Sequence, residues 1–182
     1  MIKIYENIFD KLWLSELYDV LLNQEPWYAN NTANIKTWPY GKEGTHRLLG
    51  INFLSKINDD VIYYGSNNKK LTNNLIDAFN YIKNNLNLHL RLKEISANLQ
   101  FMGMNGTLHT DGKENDQAFI LMICDEKLPK NIGGEFYHKP TNKKIKFDNG
   151  KLIHITASDE HFGNSFNKPI PRISIKWVGQ NF

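Results

Sequence analysis

Lys93-Glu94-Ile95-Ser96-Ala97-Asn98-Leu99-Gln100-Phe101-Met102 is the stretch at which the chain changes its period. From residue 92 onward apolar and polar residues alternate, and a period of two sends successive side chains to opposite faces of a strand. Here Leu99 and Phe101 share one face, and the amides of Asn98 and Gln100 share the other. The same reading predicts strands over Ala118–Ile123, Glu135–His138, Lys143–Phe147, Lys151–Thr156, His161–Asn167 and Arg172–Val178. Turn residues separate them at Gly103 to Gly106, Gly112 to Asn115, Pro129 to Gly134 and Asn149-Gly150. Asn149-Gly150 between two alternating runs predicts a hairpin. Many short strands at regular spacing indicate a sandwich or barrel.

Upstream the pattern is mixed. Ile2 to Ile8 alternates like a short strand. Asp10 is placed to cap a helix whose Leu12, Trp13, Leu17, Tyr18, Leu21 and Leu22 lie near one face, with Pro26 ending it. Residues 27–50, rich in Trp, Asn and Gly, read as a long loop with at most one strand. Leu71 to Leu86 reads as a second amphipathic helix capped by Thr72 or Asn73. Two helices ahead of the strands would cover one sheet, so the fold class is α+β. No repeat or linker interrupts the chain. We expect one domain over 1–182, with 1–90 as helical support and substrate loop and 91–182 as the β core.

Composition limits the options. A chain of 182 residues fits a single core. Hydrophobic residues at 41% and charged residues at 23% are ordinary for a soluble globular protein. The net charge of +3 comes from scattered lysines, with Lys69-Lys70 and Lys143-Lys144 the densest pairs. No basic stripe suggests a nucleic-acid groove. Cys124 is the single cysteine, which excludes an intramolecular disulfide and a cysteine metal cage. It follows the apolar run Phe119 to Ile123, where a buried, inert thiol is expected. Met1 to Glu6 lacks the features of a signal peptide, and no apolar stretch approaches the ~20 residues that span a bilayer. The expected setting is a reducing cytoplasm, without membrane partners.

The chemistry centres on Gly106-Thr107-Leu108-His109-Thr110-Asp111-Gly112. Residues i and i+2 of a strand share a side, so His109 and Asp111 can present an imidazole and a carboxylate to one metal ion. Two histidines and a carboxylate on one octahedral face leave three positions open, the arrangement of non-heme iron(II) oxygenases. Alone, His-x-Asp reads first as a polar loop pair. The downstream order adds weight: Gly133-Gly134-Glu135-Phe136, then Asn149-Gly150, then His161, and Arg172 within Pro171-Arg172-Ile173-Ser174-Ile175-Lys176-Trp177.

This order resembles the 2-oxoglutarate/iron(II) oxygenase superfamily, and within it the prolyl 4-hydroxylase-like branch. The motifs cover residues 93 to 180, and Ile4 to Leu22 resembles the first strand and helix of that branch. The resemblance implies a double-stranded β-helix (jelly-roll, cupin-like) core with the N-terminal helices packed on one sheet. It implies Fe(II) and 2-oxoglutarate as cofactors, with ascorbate as a candidate reductant. His109, Asp111 and His161 match the iron ligands, with His154 as the rival third ligand. Arg172 matches the residue that pairs with the distal carboxylate of 2-oxoglutarate, for which a planar guanidinium is well shaped. Ser174, on the same face, can add a hydrogen bond. Many relatives carry a tyrosine shortly before His-x-Asp; Met102 to Leu108 has none, so Tyr137, Asn98 or Gln100 is the expected replacement. His138 is expected at the mouth or in solvent, and His46 and His89 as structural or surface groups.

The implied reaction couples decarboxylation of 2-oxoglutarate by O2 to hydroxylation of a C–H bond, giving succinate and CO2. A prolyl residue of a peptide or protein is the leading substrate, and Trp27, Tyr28, Trp38, Tyr40, His46 and Arg47 are candidate lid residues. A free amino acid or other small molecule is the alternative substrate. A nucleic-acid demethylase would carry a second arginine shortly after the first, and Ile173 to Phe182 contains none. Two other rivals are a non-catalytic β-sandwich binding module and a cupin-like metal isomerase, the latter leaving Arg172 without a task.

Overall fold

The computed structural model describes residues 1–31, 48–57, 60–62, 65–125, 129 and 131–181. Its elements run β1 (Ile2–Tyr5), α1 (Lys11–Gln24), β2 (Tyr28–Asn31), β3 (Leu48–Ile57), β4 (Asp60–Ile62), α2 (Lys69–Asn85), β5 (Leu90–Gln100), β6 (Asp116–Ile123), β7 (Phe136–His138), β8 (Lys143–Ile145), β9 (Leu152–Thr156), β10 (His161–Gly163) and β11 (Arg172–Asn181). The larger sheet has the order β1-β9-β6-β11-β5-β3-β2, with β4 paired to β3, and the smaller has the order β10-β7-β8. Every pairing is antiparallel. This is the double-stranded β-helix architecture, with helices on the outer face of the larger sheet.

Strand parity decides which residues build the core and which the site. Leu99, Ala97 and Ile95 of β5, with Ile173, Ile175 and Trp177 of β11, face outward to the helices. Leu14, Leu17 and Leu21 of α1 and Leu71, Leu75, Phe79 and Ile82 of α2 complete that core. Trp177 is fully buried and satisfies its indole by donating to the Leu75 carbonyl at 2.8 Å. The opposite face of the larger sheet turns inward to the smaller one. There Ala118, Ile120, Met122, Ile153 and Ile155 meet Phe136 and Ile145. The polar residues of β5 and β11 occupy this same inner face.

Asp10 caps α1 as expected, accepting from the Trp13 amide at 2.8 Å. The second helix starts earlier than its apolar spacing suggests. Asn68, not Thr72 or Asn73, is its cap, accepting from Leu71 N at 2.9 Å. The Asn68 amide also donates to the buried Glu25 at 2.9 Å, a tertiary contact that local spacing does not register. The stretch 48–57 is a full strand of the larger sheet. A register shift between Asn52 and Leu54 brings Ile51, Phe53 and Leu54 all into the interior and erases the alternation.

Asn149-Gly150 does not close a hairpin. β8 belongs to the smaller sheet and β9 to the larger, so this turn carries the chain between sheets. It is pinned to the end of β6 instead: the Cys124 amide donates to Asn149 Oδ1 and Gly150 N donates to the Met122 carbonyl. Cys124 is buried, and burial pushes its thiol up to about 12, in line with the expected inert role. Of the candidate lid, Trp38, Tyr40, His46 and Arg47 lie outside the described residues. Trp27 is tied to α1 through Nε1 to the Leu21 carbonyl at 2.9 Å. Among the described residues no helix is long and apolar enough to cross a membrane.

Candidate metal centre

His109 and His161 lie opposite one another as an isolated antiparallel bridge, exchanging backbone hydrogen bonds of 3.1 and 3.0 Å. Asp111 N and Gly112 N both donate to the Ala157 carbonyl, which fixes the carboxylate two residues beyond His109. A Cβ on Gly112 would meet Asp116 Oδ2 at 2.9 Å, so only glycine lets this turn pack so closely. The result gathers His109, Asp111 and His161, whose ligand atoms all lie within 4.8 Å of one another.

Both imidazoles are oriented by the backbone. His109 Nδ1 lies 2.7 Å from the Thr107 carbonyl, and His161 Nδ1 lies 2.8 Å from the Asp159 carbonyl. A carbonyl only accepts, so each Nδ1 carries the proton and each Nε2 presents a lone pair to the centre. Burial lowers the His109 pKa to about 4, which keeps that ring neutral at physiological pH. Burial pushes the Asp111 carboxyl up, but the charges around it, the Lys176 ammonium foremost, hold it below the usual range.

The consequence is an electrostatic conflict within the protein alone. His161 Nε2 lies 3.1 Å from Asp111 Oδ2, and His109 Nε2 lies 3.6 Å from Oδ1. Among the described residues Asp111 Oδ2 is buried with no hydrogen-bond partner. Imidazole nitrogens this close to a carboxylate repel it unless a proton or a metal cation sits between them. Neutral imidazoles with one carboxylate form the donor set of a 2-His-1-carboxylate iron(II) site. The residues present therefore fit the metal.

Arg172, Ser174 and Lys176 project from alternate positions of β11 onto the inner face, opposite Gln100, Asn98 and Ser96 of β5 respectively. Arg172 is only 1% exposed. Its Nη1 donates to Gln100 Oε1, and its plane lies 5.5 Å from the Phe147 ring centroid. The Gln100 amide is itself fixed by donating to the carbonyls of Met104 at 2.7 Å and Gly163 at 3.0 Å. A Cβ on Gly163 would meet Arg172 Nη2 at 2.9 Å. Among the described residues Arg172 Nε is buried and unpartnered. Burial lowers the Arg172 pKa to about 10, so it stays cationic at neutral pH. A buried cation with an unused donor is suited to an incoming carboxylate.

Two sequence expectations need correction. Tyr137 is not on the site: its β7 neighbours Phe136 and His138 point inward, while its ring packs on Phe162 and its hydroxyl donates to Asn142 Oδ1 at 3.1 Å. Alternation in so short a strand leaves it on the outer face. His138 is neither at the mouth nor in solvent. It is fully buried, with Nδ1 on Thr141 Oγ1 at 2.8 Å and Nε2 on Asp159 Oδ2 at 3.1 Å. The rival ligand His154 lies on the far face of β9, stacked on Phe119 at 4.4 Å and bonded to Gln117 at 2.9 Å. A strand therefore separates it from His109 and Asp111.

Lys176 is the site residue that motif reading passed over. Its Nζ lies 3.0 Å from Asp111 Oδ1 and 3.0 Å from Glu94 Oε1. Its even parity with Arg172 and Ser174 was the available signal.

No protein-family model and no curated protein sequence matches the chain. Solved structures do. An oxidoreductase of the 2OG-Fe(II) oxygenase family from Burkholderia pseudomallei superposes with a TM-score of 0.72 at 11% identity, covering 98% of this chain and 84% of its own. The non-heme alpha-ketoglutarate-dependent epimerase SnoN of nogalamycin biosynthesis gives 0.68 at 11%, covering 99% and 78%. A prolyl hydroxylase from Trichoplax adhaerens, in complex with a hypoxia-inducible-factor oxygen degradation domain peptide, gives 0.65 at 13%, covering 99% and 83%. At such identities the likeness is one of fold, and the fold is that of the 2-oxoglutarate/Fe(II) oxygenases.

Proposed function

We propose that this chain is an Fe(II)- and 2-oxoglutarate-dependent dioxygenase that hydroxylates a C–H bond, with His109, Asp111 and His161 holding the metal. The observation that carries this reading is the inward-facing pair of Nε2 lone pairs beside the unpartnered Asp111 Oδ2, on the inner face that also holds Arg172. Bound together, iron(II) and the 2-oxo acid supply dioxygen activation, leaving succinate and CO2.

The protein's part is positioning. The Thr107 and Asp159 carbonyls hold both imidazoles in the ligating tautomer. Arg172 pairs with the distal carboxylate, Gln100 keeps the guanidinium in its plane, and Ser174 and Asn98 on the adjoining positions offer further hydrogen bonds. The buried apolar cluster of Ile120, Met122 and Phe136 beside these residues would limit the access of bulk water.

For the substrate we favour a prolyl residue of a peptide or protein, supported by the fold shared with a peptide-bound prolyl hydroxylase. A small polar molecule such as a free amino acid is the second reading. It is supported by Ser96, Asn98 and Glu94, which make the inner face of β5 polar rather than aromatic.

The test begins anaerobically. Fe(II) and 2-oxoglutarate added to the purified chain should give a visible metal-to-ligand charge-transfer band, and His109→Ala and Asp111→Ala should abolish it. Wild-type succinate production by either variant would sink the assignment. A non-catalytic sandwich would retain no metal. Succinate yield with proline-rich peptides against free amino acids then separates the two substrate readings.

A further inference from the structure

We infer that Lys176 is a positioning residue that keeps Asp111 a one-oxygen ligand, which holds three coordination positions open; this rests on the metal reading above. The two carboxylate oxygens are not equivalent. Oδ2 is the buried, unpartnered oxygen beside His161, whereas Oδ1 is already engaged by Lys176 Nζ at 3.0 Å. The ammonium cannot readily swing away. Glu94 Oε1 holds it at 3.0 Å from the other side, and Ser96 Oγ donates to the same Glu94 oxygen at 3.1 Å.

Octahedral bookkeeping gives the clamp its purpose. Two imidazoles and one carboxylate oxygen leave three positions, enough for a chelating 2-oxo acid and dioxygen together. A carboxylate bound through both oxygens would leave two and force a competition. Charge points the same way. Asp111 and Glu94 are balanced by Lys176 and Arg172, and a divalent metal with a dianionic cosubstrate adds no net charge. Without Lys176 the buried site is left net negative, which favours the metal cation and opposes the dianion. A residue needed only for folding would weaken both ligands alike.

The test separates the two affinities on the full-length chain, anaerobically. Metal binding is titrated with Co(II), and 2-oxoglutarate binding is followed through the Fe(II) charge-transfer band. Lys176→Met should bind Co(II) at least as tightly as wild type, while its affinity for 2-oxoglutarate falls by about tenfold or more. Lys176→Arg should restore most of that loss, and Lys176→Gln, which keeps a donor for Asp111 but drops the charge, should give an intermediate loss. Unchanged 2-oxoglutarate affinity in folded Lys176→Met, or equal loss of metal and cosubstrate, overturns the inference. If Lys176→Met does not fold, Lys176→Gln decides: no loss of cosubstrate affinity overturns it. A wild-type chain that retains no metal defeats the functional reading itself, and the inference with it.

Discussion

Gln100 shows how one amide can orient a guanidinium. Its NH2 is committed to two backbone carbonyls, so its oxygen has a single direction left, toward Arg172. Gln100→Leu should destabilise the fold by about 1–3 kcal/mol, because it strips a buried cation of its acceptor and leaves two carbonyls unpaired. Urea denaturation measures the loss, and an unaltered midpoint would contradict it. Gly163→Ala tests the same guanidinium from its other side. The added methyl crowds Nη2, so 2-oxoglutarate affinity should fall severalfold while Co(II) affinity holds. Equal loss of both would show that the whole centre had shifted. At this scale the sequence was informative where a motif fixed the residue type: the candidate ligand atoms of His109, Asp111 and His161 lie within 4.8 Å of one another. It was uninformative where only geometry decides. Whether Tyr137 faces in or out is set by the register of a three-residue strand. Lys176 belongs to no motif, yet its parity on β11 brings it to Asp111.

Among the elements, the two helices differ in what their caps do. Asp10 serves only the first turn of α1. Asn68 serves α2 and also pairs the buried carboxylate of Glu25. Asp10→Ala should therefore cost about 1 kcal/mol, and Asn68→Ala clearly more, since a buried acceptor is also orphaned. Thermal melts rank the two, and the reverse order would be a failure. Periodicity located the helices because their apolar faces are long. It located β5, β6, β9 and β11 because each has alternate sides buried in different surroundings. It missed β3 because the register shift at Asn52 puts consecutive residues inside. It also misassigned Asn149-Gly150, since a tight turn looks the same in sequence whether the strands it joins pair with each other or part to different sheets.

For the whole molecule, acid stability follows from His154. Burial, and then Lys3 and the N-terminal amine, lower its pKa to about 4 from the ordinary 6.5. The folded value lies below the unfolded one, so the unfolded chain binds the proton first. This histidine leaves stability untouched above the unfolded value and lowers it as pH falls from there toward the folded value. His154→Phe keeps the stacking on Phe119 and removes the titration. The stability lost between about pH 7 and about pH 4.5 should then shrink by roughly 2 kcal/mol. An identical acid profile in wild type and variant would place the lability elsewhere. At this scale the sequence conveyed the layer plan, helices then strands, but not that β1 and β3 of the N-terminal half would join the larger sheet.

β11 is hydrogen-bonded on both sides, by β5 and by β6, and lies mid-sheet. Its amides should be among the slowest in the chain to exchange with deuterium, opening only with global unfolding. The side chains Arg172, Ser174 and Lys176 thus ride on a strand with little freedom to drift. β4, paired among the described residues to β3 alone, should exchange far sooner. Variation that leaves the cosubstrate's berth intact is expected to concentrate toward that periphery. Directed libraries that diversify the β2–β4 rim and spare β11 should yield more folded, cosubstrate-binding clones than libraries built the other way round.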